Sequence, residues 1–189
     1  MKTLVFATNN AHKLEEARKI LAGYEVLSLT DIGFEEEIEE NADTLEENSA
    51  IKARAVYAFC HRACFADDTG LEVEALGGAP GVHTARYATD GHDHAANRAR
   101  LLRELKDSSN RKAHFRTVVT LITEGREYQF EGLVEGFIAT KEQGSNGFGY
   151  DPIFIPEGYG VTFAELPAEV KNSISHRARA LEKMREFEY

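Results

Sequence analysis

The stretch Cys64-Phe65-Ala66-Asp67-Asp68-Thr69-Gly70 constrains this chain most, because an apolar run stops there at two adjacent carboxylates and a glycine. Val56 to Phe65 is too rich in hydrophobic residues for a surface loop, so the pair is expected where buried structure meets a cleft. Side chains alternate along an extended segment, so one carboxylate can face a pocket while the other packs or caps. Carboxylates at the end of a buried strand are costly unless they bind a cation, accept hydrogen bonds or stay protonated. Thr69 adds a hydroxyl, and Gly70 lets the backbone turn or approach a ligand closely. A strand-end turn with an aspartate cap is the plainer alternative.

Around this stretch the sequence alternates strand and helix signals. Thr3 to Ala7 reads as a buried strand, followed by a polar turn at Thr8 to Asn10. Leu14, Ala17, Ile20 and Leu21 recur at helical spacing and stop near Gly23. Tyr24 to Leu29 alternates as a second strand, and Thr44-Leu45-Glu46-Glu47 has the form of a capping box opening a helix to about His61. Leu71 to Leu76 reads as a strand, closed by Gly77-Gly78-Ala79-Pro80-Gly81, and a third helix covers about Ala95 to Leu105. Phe115 to Thr123 and Tyr128 to Thr140 form a long antiparallel hairpin by their short connection, with Leu133, Val134, Phe137 and Ile138 read as core. The last helix is expected to reach Tyr189. The expectation is an α/β protein, a mixed sheet with flanking helices in one domain spanning residues 1–189.

Charge narrows the partners. A formal net charge of −10 argues against non-specific nucleic-acid binding, and an acidic protein that takes an anion needs local positive charge or a divalent metal. Cys60 and Cys64 are too few for a disulfide framework and read as core or strand residues, which points to a reducing cytoplasm. No segment is long and apolar enough for a signal peptide or a membrane span.

Three polar clusters punctuate the elements. Thr8-Asn9-Asn10-Ala11-His12-Lys13 lies between the first strand and helix, where α/β sheets bind ligands and a helix N-terminus favours anions. Thr8 and Asn10 can donate hydrogen bonds there and Lys13 can meet a phosphate, although the same residues could form a cap followed by a solvated lysine. Glu35-Glu36-Glu37-Ile38-Glu39-Glu40 precedes the helix carrying Asn48 and Lys52. A glutamate from this run meeting Asp68 would suit magnesium, which needs one or two carboxylates plus phosphate, but spacing does not select which glutamate. Ser145-Asn146-Gly147-Phe148-Gly149-Tyr150-Asp151-Pro152 offers aromatics for stacking a base, followed by Lys171 and Ser175-His176-Arg177. Ser175 resembles an N-cap that puts His176 and Arg177 in the first turn of the last helix. By contrast, His92-Asp93-His94 follows Asp90-Gly91 in a polar loop and reads as a solvated cap.

Together these motifs, with Glu47-Asn48, Leu76 to Gly81 and Ala85-Arg86-Tyr87, resemble the inosine triphosphate pyrophosphatase family over nearly the whole chain. The resemblance implies hydrolysis of ITP, dITP and XTP to monophosphate and pyrophosphate, with Mg2+ as cofactor. It implies an elongated, two-lobed body around a central cleft, and a cytoplasmic homodimer. Asp68 falls on the family's catalytic position, Thr69 on its hydroxyl neighbour, and Glu40 on its metal glutamate, twelve residues before Lys52. Substrate contacts are then expected from Thr8, Asn9, Asn10, Ala11, His12, Lys13, Lys52, Thr69, Phe148, Gly149, Tyr150, Asp151, Lys171, His176 and Arg177, with metal ligation by Glu40 and Asp68. Ala85 and Thr69 stand where the family commonly has serine. A non-catalytic nucleotide sensor is the competing class, but acidic residues help a binder of polyanions only by holding a metal.

Overall fold

The computed structural model describes residues 1–187. Among them the chain folds as α/β, with strands β1 (Lys2–Phe6), β2 (Tyr24–Leu27), β3 (Cys64–Val73), β4 (Lys112–Thr123), β5 (Arg126–Ile138) and β6 (Phe154–Pro156). The helices are α1 (Ala11–Ile20), α2 (Leu45–Cys60), α3 (His94–Glu104), α4 (Ala168–Ile174) and α5 (His176–Glu186). Sheet order is β2-β1-β3-β4-β5-β6. β1 pairs parallel with β2 and with β3, whereas β5 and β6 are antiparallel, so the sheet is mixed. The expected end of the last helix at Tyr189 lies outside the described residues.

Local chemistry sets the helix ends. Asn10 accepts from the Lys13 amide and starts α1, whose Leu14, Ala17 and Ile20 face inward. Thr44 accepts from the Glu47 amide, and α2 then runs to His61, which closes it in the left-handed conformation. Asp93 accepts from the Ala96 amide at α3, so that tripeptide does form a cap. Between β4 and β5, Glu124 and Gly125 both take positive φ, as a two-residue hairpin turn requires.

Two expectations need correction. The separate strand expected over Leu71 to Leu76 does not form, because β3 runs unbroken from Cys64 through Asp67, Asp68 and Gly70 to Val73 and Glu74–Leu76 is a 3-10 turn. Leu71 and Val73 are fully buried, so the extended run keeps gaining apolar contact and turns only later, at Gly77 and Gly78, both with positive φ. Phe137 is not core. Along β5 the buried positions are Gly132, Val134, Gly136 and Ile138, which turns the alternating Phe137 outward, 46% exposed.

The described residues group into two compact units. The first comprises Met1–Asp68, Thr117–Gly132 and His176 onward. Its core joins Leu4, Phe6, Phe65 and Leu121 to Ala178, Leu181 and Met184 of α5, and Phe6 stacks on Phe65 at 4.4 Å. A further cluster packs Val5 and Cys64 against Ala53 and Val56 of α2. The second unit comprises Thr69–Arg116 and Leu133–Ser175, with a core around Phe115, Phe154 and Phe163. No described helix is long and apolar enough to cross a membrane.

Candidate active site

In the first unit, β3 presents its two carboxylates in opposite directions. Asp67 is 2% exposed, while Asp68 is half-buried. Lys13 Nζ donates to Asp67 Oδ1 at 3.0 Å, and Arg177 Nε donates to Oδ2 at 2.8 Å. The same guanidinium donates through an NH group to Glu16 Oε2 at 2.5 Å. Burial pushes Asp67 up, but Lys13, Arg177 and Lys52 outweigh it and hold the carboxyl well below the usual range. The Lys13 ammonium is lowered, first by burial and then by Lys52 and Arg177, against the pull of Asp67.

Asp68 behaves oppositely. Burial raises it to about 6, with the charges of Glu40 and Asp67 adding to the rise and Lys52 and Lys13 opposing it. Lys52, from α2, donates to the backbone carbonyl of Asp67 and pairs with Glu40 Oε1 at 2.9 Å. Although burial lowers Lys52, Glu40, Asp67 and Asp68 together raise it, so it stays charged. Three cations (Lys13, Lys52 and Arg177) thus face four carboxylates (Glu16, Glu40, Asp67 and Asp68), one negative charge in excess. Such a set repels a bare triphosphate and suits a hard cation, since Glu40 and Asp68 both offer oxygen. Among the described residues no group of three or more His, Cys, Asp or Glu side chains is placed to hold a metal alone.

The first loop is built as a frame for Lys13. Asn10 caps α1, and the Asn10 amide donates to Thr8 Oγ1 at 3.1 Å. Asn9 Oδ1 accepts from the amide and hydroxyl of Thr30, each at 2.9 Å. Ala11 and His12 are exposed at the start of α1. The cap expected as the bland alternative is therefore real, yet Lys13 is directed at Asp67 rather than into water.

The second unit holds the aromatic-loop residues and Lys171, while His176 and Arg177 open α5 in the first. Lys171 Nζ donates to Asp151 Oδ2 at 2.6 Å, both side chains buried, and lies 5.0 Å from the Phe148 ring centroid. That oxygen also accepts from the Phe148 amide at 3.0 Å. A Cβ on Gly147 would lie 2.1 Å from it, and Gly147 has φ +72°, so only glycine fits the loop. Tyr150 donates to the Thr84 carbonyl at 2.7 Å, and burial raises its hydroxyl. Lys171, expected among the substrate contacts, is thus bonded within the aromatic loop. Thr69 follows Asp68 within β3.

Two residues were not foreseen. Glu16 sits three positions after Lys13, on the same face of α1, a spacing that could have flagged it. Gly132 lies mid-strand in β5, where a Cβ would stand 1.9 Å from the His176 carbonyl and 2.5 Å from the Ala180 amide nitrogen. Its lack of a side chain lets the first turn of α5, carrying His176 and Arg177, lie against the strand.

A family model described as the Ham1 family matches residues 4–187. The dITP/XTP pyrophosphatase of Porphyromonas gingivalis is 53% identical over 189 residues, covering 99% of this chain and 97% of that protein. The dITP/XTP pyrophosphatase of Bacillus subtilis is 47% identical, covering 97% and 96%. Among solved structures, the Staphylococcus aureus Ham1 protein superposes with a TM-score of 0.87 at 37% identity, covering 97% of this chain and 96% of its own. A nucleoside-triphosphatase, dITP/XTP pyrophosphatase, from Mycobacterium abscessus gives 0.77 at 43% identity, covering 98% and 100%.

Proposed function

Because this chain belongs to the Ham1 family, we propose that it hydrolyses non-standard purine nucleoside triphosphates to the monophosphate and pyrophosphate. The observation that carries this reading is the split between neighbouring carboxylates, Asp67 held as an anion by Lys13 and Arg177 and Asp68 raised to about 6. Environments that push paired acids apart assign them different tasks.

Asp67 fixes Lys13 and the Arg177 guanidinium, and Asp68 takes the proton of the attacking water. The bridging bond between the α and β phosphates breaks as water adds, and pyrophosphate leaves. Glu40 and Asp68 would hold Mg2+, which supplies charge neutralisation on the phosphate oxygens when bound. Lys13 and Lys52 contact the phosphates, with Thr8, Asn9, Asn10, Ala11 and His12 forming the loop beside them. Phe148, Gly149, Tyr150 and Asp151 take the base, Lys171 holds Asp151 in place, and Thr69 lends its hydroxyl beside Asp68. The Arg177 guanidinium, oriented by Asp67 and Glu16, together with His176, pairs with the 6-keto oxygen and opposes the adenine amino group. We place the working enzyme in the cytoplasm as a homodimer that binds neither nucleic acid nor membrane.

Pyrophosphate release by the purified protein tests the reading. Turnover of ITP and XTP is expected with Mg2+, to be lost on chelation, with ATP slower by ~10²-fold or more. Equal rates on ITP and ATP, or no release from ITP with Mg2+ present, would refute it.

A further inference from the structure

We infer that Arg98 is a positioning residue for base discrimination, acting through the backbone of the Phe148–Asp151 loop; this rests on the reading that the loop takes the base. Arg98 belongs to α3 and to none of the motifs that carry the nominated site. Its NH1 donates to the Gly149 carbonyl at 2.8 Å, while its Nε bonds the Glu142 carboxylate. A planar guanidinium can hold a carbonyl and a carboxylate at once in fixed directions, which a lysine ammonium cannot reproduce. The helix beneath it is itself fixed. Asn97, fully buried, accepts from the Ala88 amide at 2.8 Å and donates to the Ala85 carbonyl at 3.0 Å.

The loop needs such a tether because much of its bonding closes on itself. Phe148 donates to Asp151 through its amide, and the Asp151 amide returns to the Phe148 carbonyl at 3.2 Å. Gly149, with φ +63°, brings no side chain to pack. Ties from this turn to the rest of its unit include Lys171 to Asp151, Tyr150 to Thr84, and Arg98 to Gly149. The first two act through side chains, whereas Arg98 grips the peptide itself. Turning that peptide redirects the Phe148 ring and the neighbouring amide together. A shift of about 1 Å in such a frame is enough to cost ~10²-fold.

The test compares Arg98→Ala, Arg98→Lys and Glu142→Gln with wild type on ITP and ATP, and follows amide hydrogen exchange across residues 146–153 in nucleotide-free protein. Arg98→Ala should raise KM for ITP by ~10-fold with kcat within about twofold, and lower ATP turnover by no more than about twofold through weaker stacking, so that the ITP-to-ATP ratio falls ~5-fold. Loop amides should exchange faster. Arg98→Lys should recover part of the ratio through one remaining hydrogen bond, and Glu142→Gln should lose about twofold. An unchanged ratio, an equal loss on both nucleotides, or unchanged loop exchange would overturn the assignment. Should Arg98→Ala fail to fold, the other two variants carry the same comparison. Wild-type turnover of ITP reports on the proposed function separately; without it, loop exchange still decides whether Arg98 positions the loop.

Discussion

Lys13 and Arg177 close on Asp67 from two sides, while one residue later Asp68 meets burial and like charge, and this contrast has a measurable cost. A carboxyl raised from 3.8 to about 6 binds more protons in the native state than in the unfolded chain between those values. Stability therefore falls as pH rises through that window, by on the order of 2–3 kcal/mol. In metal-free protein, Asp68→Asn should be more stable than wild type at pH 8 and show little gain at pH 4, as read from urea midpoints. The same variant should lose at least ~10²-fold in turnover, the lower end of general-base effects. Wild-type turnover, or a stability difference that does not grow with pH, would count against the role. The sequence made part of this legible, because alternation along an extended segment separates adjacent side chains. It could not reveal which cations close on Asp67, since Arg177 lies 110 residues away.

At the scale of elements, Gly132 decides whether β5 and α5 can meet. Replacing it with alanine drives a methyl group into the backbone of His176 and Ala180, which cannot swing aside like a side chain. Gly132→Ala should cost about 1–3 kcal/mol and reduce turnover further, because the displaced turn carries His176 and Arg177. A urea midpoint matching wild type would show that the contact relaxes freely. Helix beginnings were readable because caps are local chemistry, as at Asn10, Thr44 and Asp93. Strand extent was not. Whether β3 stops at Asp68 or runs on to Val73 depends on its neighbours in the sheet, and α4, at 7 residues, is too short for a periodic signal. Phe137 was misplaced by its hydrophobicity, although the period of two through Val134, Gly136 and Ile138 already pointed it outward.

For the whole molecule, chain order and spatial grouping disagree. The second unit is complete by Ser175, but the first draws on three separated stretches, the last beginning at His176. A chain ending at Ser175 lacks Ala178, Leu181 and Met184 of the core and leaves Asp67 without Arg177. Removing one partner of a buried ion pair costs about 3–5 kcal/mol, a large share of an ordinary domain's stability. Hydrogen exchange on that truncated chain should find protection lost over residues 1–68, and protected β1 and α1 amides would contradict this. Length and composition fit one domain, and the grouping of its described residues into interleaved units follows from long-range pairing that no local pattern encodes. In the cell, the order of emergence from the ribosome then matters. Met1 to Asp68 is translated well before α5, so a nascent chain stalled short of α5 exposes an unfinished core to proteases and chaperones. Translation through α5 itself becomes the condition for a stable Asp67–Asp68 pair.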